Sequence, residues 1–269
     1  MGIATANLDG FKSALAEAVA LSADSVVAPL DMMHTIHRIQ TKSIDVPVGS
    51  GLSYSSATAG TVSEGGTNSN TLTALTLTPV PFKCSVDIAK ADLQQNPYFL
   101  SYLAEELTKG AADHIVTLLD DVYDTHTAYG TTGASATVAL LMDAVGEIRG
   151  AGFSGRMYAN MHPTVMADLK ANFAANYGNL PQVAAQFDQN ELFNIAGVVC
   201  GDSSSITSST SGYKNFIGPK DAVHIAIRDV DAEDVWVLER DGVNVNVGAQ
   251  LWVAVGKTSA GKGRFLPWD

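Results

Sequence analysis

Leu8, Phe11, Leu15 and Val19 recur at intervals of three and four, which puts them on one stripe of a short amphipathic helix. A helix of that length is marginal alone in water, so the stripe must dock, either on its own domain or on a partner subunit. Further on, residues 41–48 have strand-like composition, and 72–77 alternate Leu72, Ala74 and Thr76 against Thr73, Leu75 and Leu77. The stretch 49–70 between them is rich in Gly, Ser and Thr, with Glu64 as its only charge. Structureless loops beyond ~12 to 15 residues are uncommon in compact domains. The segment is therefore either disordered or a long two-stranded ribbon reaching away from the body, and a free ribbon needs another chain to lie on.

The alternation is clean over 80–88, where Val80, Phe82, Cys84, Val86 and Ile88 point one way and Pro81, Lys83, Ser85 and Asp87 the other. Cys84 on the apolar face reads as a core residue. Asn96 suits an N-cap and Pro97 the first position of a helix. Leu100, Leu103, Leu107, Ala111, Ile115, Leu118 and Val122 hold one face of it. Running to about Tyr123, this helix spans ~40 Å at about 1.5 Å per residue, more than a small core requires, with Gly110 as a tolerable interruption. Its last turns carry Asp120, Asp121 and Asp124, where the helix dipole disfavours negative charge. They form a solvated acidic end or meet Lys or Arg from a neighbouring subunit.

Beyond a polar connection, helix and strand alternate. Val138, Leu141, Val145 and Ile148 define a helix, 157–161 a strand, and Pro163 opens a helix buried through Met166, Leu169 and Phe173. Strand candidates at 197–200 and 216–218 flank a Ser/Thr-rich run, 202–212, that reads as an exposed loop or hairpin tip. The strand candidates 223–228, 235–240 and 243–255 follow, with Gly248 suggesting a bulge or bend.

Composition narrows the function classes. The 269 residues are 46% hydrophobic and only 16% charged, against roughly 25% charged in an average soluble domain. A chain so poor in charge is not disordered, and it must expose much uncharged surface. Sixteen basic against 28 acidic residues give a net charge of −12, unsuited to gripping nucleic acid phosphates. Nothing approaches the ~18 to 20 unbroken apolar residues of a membrane span, and the N-terminus carries no secretory signal pattern. Two cysteines, Cys84 and Cys200, make no disulfide scaffold and fit a reducing cytoplasm.

Candidate chemistry is thin. Gly256, Lys257 and Thr258 end like a phosphate-binding loop, but Leu251 occupies the required first glycine. Asp229, Asp231 and Glu233 begin like a calcium loop, but Asp234 replaces the turn glycine and Arg240 the bidentate glutamate. His34 and His37 lie in strand-like sequence without a third ligand nearby. Lys83 precedes Cys84 but points to the opposite face of the strand, and Cys200 has no basic neighbour, so neither cysteine is read as a thiolate. No catalytic, cofactor-binding or metal-binding residue is nominated.

Taken in order, these segments resemble the major capsid proteins of tailed bacteriophages with the Hong Kong 97 type fold, over nearly the whole chain. The N-terminal helix looks like the N-arm, and the ribbon with Val62-Ser63-Glu64-Gly65 near its far end looks like the E-loop. Strand 80–88 and the helix from Pro97 look like the strand and spine helix of the P domain. The run Met157-Tyr158-Ala159-Asn160-Met161 followed by Pro163 looks like the A domain, and 248–269 like the strand returning to the P domain. The resemblance implies an α+β fold divided as N-arm 1–27, P domain 28–44, E-loop 45–79, P domain with spine helix 80–130, A domain 131–247 and P domain 248–269.

The function it implies is a structural shell: hexamers and pentamers closing an icosahedral capsid around double-stranded DNA, without sequence-specific binding, assembled in the host cytoplasm. Tyr54, Glu64, Asp120, Asp121 and Asp124 are the candidate assembly residues. The implied partners are other copies of the chain, a portal, a separate scaffolding protein (little sequence precedes the N-arm) and a decoration protein; no membrane and no cofactor is implied. Some family members crosslink an E-loop lysine to a neighbour's asparagine, but 43–79 holds no lysine and Lys42 lies near the base, so a non-covalent shell is expected. An encapsulin-type compartment around cargo enzyme is the alternative with the same fold. A cytosolic α+β enzyme with a compact 49–70 loop is a third reading.

Overall fold

The computed structural model describes residues 14–19, 30–49, 72–89, 91, 99–177, 193–195, 197–204, 206–209 and 212–269. Its first strands are β1 (Thr35–Ile39) and the antiparallel pair β2 (Ile44–Gly49) and β3 (Leu72–Leu77), in register from Ile44 opposite Leu77 to Gly49 opposite Leu72. The expected ribbon thus has a two-stranded root; its distal part, with Tyr54 and Glu64, lies outside the described residues. Next come β4 (Val80–Ala89) and the long helix α1 (Phe99–Tyr123), which ends where its apolar stripe ends. The expected caps Asn96 and Pro97 also fall outside the described residues.

After β5 (Thr127–Ala128) the chain forms α2 (Val138–Gly150), β6 (Met157–Met161), α3 (Pro163–Tyr177), β7 (Phe193–Ile195) and β8 (Val198–Asp202). The Ser/Thr-rich run holds a small hairpin, β9 (Ser208–Ser209) with β10 (Gly212–Tyr213). Then follow β11 (Asn215–Pro219), β12 (Val223–Arg228), β13 (Val235–Glu239), β14 (Asn244–Lys257) and β15 (Arg264–Leu266).

Two sheets carry the molecule. In the five-stranded sheet, the 14-residue β14 has β4 along one edge and, end to end along the other, β13 and β12; β1 pairs parallel to β12. The other sheet has six strands in the order β5-β15-β11-β6-β8-β7. In it β6 and β8 run parallel and are joined through α3, as a crossover requires.

The helix α1 lies along the whole five-stranded sheet. Its first half buries Leu103, Ala104 and Leu107 against Ile88, Val235, Val245, Val247 and Ala249. Its second half buries Ile115, Leu119 and Tyr123 against Val223, Ile225, Ile227 and Val253. Gly110 falls where α1 passes β4, and a Cβ there would stand 3.2 Å from the Cys84 Sγ. That close approach is the reason for the helix-weakening glycine. Leu15, Ala16 and Val19 of the N-terminal helical turn join the same cluster, so of the two docking sites the sequence allowed, these residues use their own chain.

The other face of the sheet receives the ribbon's root. Val46 and Leu77 are buried with Ile39 and Ala226, flanked by Ile44, Leu75 and Ala254. Gly256 admits this contact, because a Cβ there would come within 2.7 Å of Leu77. The six-stranded sheet packs one face on α2 and α3 through Leu141, Val145, Ile148, Val165 and Leu169.

The division into 131–247 and 248–269 does not follow the sheets: β12 and β13 hydrogen-bond to β14 in the five-stranded sheet, while β15 lies in the six-stranded sheet between β11 and β5. Arg264 of β15 pairs with Thr127 of β5, far away along the chain, and local pattern does not specify such a partner. Nor is Gly248 a bulge. It pairs in unbroken register with Ser85 and Trp236, and a side chain there would overlap the Trp236 ring.

Candidate functional site

Three features of the described residues concentrate polar groups, and all of them tie elements of the chain together. The first is the acidic end of α1. Asp120 is buried, and its Oδ2 accepts the Thr207 backbone N–H at 2.8 Å. Burial raises its carboxyl above the ordinary range, against the Thr207 hydrogen bonds and Lys214, which lower it. Asp124 pairs with Lys214 at 2.9 Å and Asp121 with the same ammonium at 3.7 Å. The Asp124 hydrogen bond is the main reason the Lys214 ammonium is held above its usual range. The sequence left these carboxylates either solvated or facing a neighbour's cation; the chain itself supplies a cation, Lys214, from the segment that follows the β9–β10 hairpin. Lys214 and Thr207 were not singled out in the sequence, since both lie some 90 positions from the helix in a run that reads only as loop.

The second feature joins the two sheets. His34 Nε2 and the Tyr123 hydroxyl are 2.7 Å apart, and Asn160 Nδ2 donates to the same hydroxyl at 3.2 Å. With Asn160 donating, the Tyr123 O–H is free to donate to His34, which keeps the imidazole neutral. Burial drives His34 down to about 3, helped by Lys220 and His224. Phe216 stacks on Tyr123 with ring centroids 4.6 Å apart, and His126 meets Phe216 edge-on at 4.9 Å. Burial, with Lys257 and Arg264 nearby, pushes His126 down to about 4.

The third feature is Asp234, which ends a 3₁₀ turn and is buried. Its Oδ1 accepts from Arg228 at 2.5 Å, Gln250 at 2.7 Å and Trp252 Nε1 at 3.0 Å, and its Oδ2 from the Asp231 N–H at 3.1 Å. Burial alone would raise the carboxyl, but these donors outweigh it and leave the group below its usual range. The residue that spoils a calcium loop is thus the acceptor that fastens β12 to β14. Arg228 also lies over the Trp252 ring, 4.4 Å from its centroid.

These groups bind chiefly one another, which suits them to holding shape more than to chemistry, although Asp120 Oδ1, His34 Nδ1, His126 Nε2 and Arg228 Nε find no hydrogen-bond partner among the described residues. Burial pushes the Cys200 thiol up to about 12 and also raises Cys84, which Glu106 reinforces. Neither is poised as a nucleophile. Among the described residues no group of three His, Cys, Asp or Glu side chains could hold a metal ion, and no helix is long and apolar enough to cross a membrane.

No protein-family model and no curated protein matches the sequence. Solved structures do. The chain is similar to the capsid protein of a native GTA particle at TM-score 0.63 and 14% identity, covering 89% of each chain. It is similar to the capsid protein of cyanophage P-SCSP1u at TM-score 0.59 and 15% identity, covering 88% of this chain and 86% of that one. It is also similar to the holo-SrpI encapsulin of Synechococcus elongatus PCC 7942 at TM-score 0.62 and 12% identity, covering 88% of this chain and 85% of that one. The fold is that of phage capsid shell subunits, and an encapsulin subunit shares it.

Proposed function

We propose that this chain is the structural major capsid protein of a tailed phage, self-assembling as hexamers and pentamers into an icosahedral shell around double-stranded DNA. The observation that carries the reading is the likeness to shell subunits along nearly the whole chain. The ribbon root supports it physically: β2 and β3 are paired and seated on the sheet face, and a ribbon extending from such a root would gain stability only on a second surface. Closed symmetric assembly then multiplies weak contacts over many copies. An acidic chain suits a container whose content must enter and leave, because strong phosphate binding would oppose both.

On this reading Tyr54 and Glu64 on the ribbon are assembly contacts, and the portal, a separate scaffolding protein and a decoration protein are its partners in the host cytoplasm. The shell is non-covalent, as the lysine-free ribbon requires. The second reading, an encapsulin-type compartment around cargo enzyme, is favoured by the encapsulin likeness and differs in content alone. Electron microscopy of particles purified from expressing cells, followed by nuclease digestion and a denaturing gel, tests both. Icosahedral particles with nuclease-protected DNA and a single monomer band are expected. Protein cargo without DNA selects the compartment, ladders of covalent multimers overturn the non-covalent shell, and a persistent monomer overturns both readings.

A further inference from the structure

His37 on β1 and His224 at the start of β12 are hydrogen-bonded to each other, Nε2 to Nδ1, at 2.9 Å. Their rings are nearly parallel, 14° apart. His224 Nε2 also lies 3.2 Å from the Asp221 carbonyl oxygen. A carbonyl only accepts, so His224 carries its proton on Nε2 and offers a bare Nδ1, to which His37 Nε2–H donates. The direction of the whole chain of hydrogen bonds follows from that one carbonyl.

The consequence for protonation is asymmetric. A first proton fits on His37 Nδ1, outside the pair, and makes His37 a stronger, charged donor. A second proton has only His224 Nδ1 to go to, where it removes the acceptor and sets two cations face to face. The pair lies beside the ribbon's seat: Thr35 opposes His224 and His37 opposes Ala226 in the β1–β12 register, and His224 opposes Gly256, against which Leu75 and Leu77 pack. Asp221 and Lys262 face the pair and are ion-paired to each other. Lys220 in the same turn pairs with Asp31, and His34 behind β1 is buried and neutral. Of the ribbon and β14, Asp45 is turned to Thr76 and Lys257 to the Thr125 carbonyl. No carboxylate among these accepts from His224 Nδ1.

We infer that the His37–His224 pair is an acid-sensitive clamp on the root of the ribbon, which tolerates one proton and opens on the second, loosening β1 and the seat of β2–β3 from β12. Burial of His224, which lowers its proton affinity, supports the order of the two steps. The inference concerns the chain's own fold and stands or falls apart from the shell reading.

Hydrogen exchange of peptides covering 35–49 and 223–228, corrected for intrinsic rates and followed from about pH 7.5 to about pH 4.5, tests it. Protection in the full-length protein should hold through the first protonation and then fall at least about tenfold further than that of peptides from β6 and β8, which report the general loss of stability toward low pH. H37Q, which retains a donor at the same reach and can also turn its carbonyl to accept, should abolish most of that fall. Constant protection in the unaltered protein, or an equal fall in H37Q, overturns the inference. If H37Q fails to fold, imidazole nitrogen NMR of the unaltered protein decides: loss of protection must coincide with protonation of His224 Nδ1, and loss that precedes it overturns the clamp.

Discussion

Asn160 donates to the Tyr123 hydroxyl at 3.2 Å, and through that one contact the middle of the six-stranded sheet is tied to the last turn of α1. His34 completes the junction from the far side. Substituting Tyr123→Phe keeps the ring stacked on Phe216 but leaves Asn160 Nδ2 and His34 Nε2 buried without a partner. A loss of about 1–3 kcal/mol is expected in urea unfolding of the unassembled subunit, as a lower midpoint at unchanged slope. An unaltered midpoint would remove the junction's energetic role.

His34 and His126 are buried neutral, with proton affinities lowered to about 3 and about 4 from an ordinary 6.5. The unfolded chain therefore binds protons that the folded chain refuses. The stability this supplies is complete above about pH 6.5 and declines as the pH falls toward those lowered values, by on the order of a few kcal/mol in all. Thermal melts of the subunit at stepped pH should show a falling midpoint, and H126F, which keeps an aromatic edge toward Phe216, should flatten part of it. A pH-independent midpoint contradicts the assignment.

Two glycines make a matched pair. Gly248→Ala drives a methyl into the Trp236 ring and toward the Cys84 carbonyl, in a strand paired on both sides, and should cost about 1–3 kcal/mol. Gly146→Ala, in α2 with nothing within 4 Å of the new methyl, should stabilise by about 0.5–1 kcal/mol. Denaturant titration of both variants checks the opposite signs.

Asp234→Ala strands Arg228, Gln250 and Trp252 together, so its loss should reach about 3 kcal/mol or more. The Trp252 indole should also change its fluorescence in the folded protein, a readout that general destabilisation does not move.

Local pattern made much of the secondary structure legible. Strands 72–77, 157–161 and 223–228 read to the residue because their alternation or apolar run is bounded by polar or turn sequence. The α1 stripe was equally plain. Pairing was not: β1 lies against β12 across nearly 190 positions, and the chain passes between the sheets several times, so contiguous segments made a poor guide to which sheet each strand joins. The candidate residues divided along the same line. Asp120, Asp121 and Asp124 stood out through their conflict with the helix dipole, but nothing near Lys214 announced that it would neutralise them. A glycine within a strand suggests a bulge or bend from sequence alone, whereas Gly248 makes room for Trp236, which arrives from another strand.

Both sheets are stitched from early and late parts of the chain: β4 waits for β14, and β5 for β15. On the ribosome, then, the five-stranded sheet is not complete until synthesis has passed Lys257, nor the six-stranded one until it has passed Leu266, however early α1 emerges. On the proposed shell reading, a half-made polypeptide presents no finished surface to a neighbour, and translation itself times when copies can begin to recognise one another.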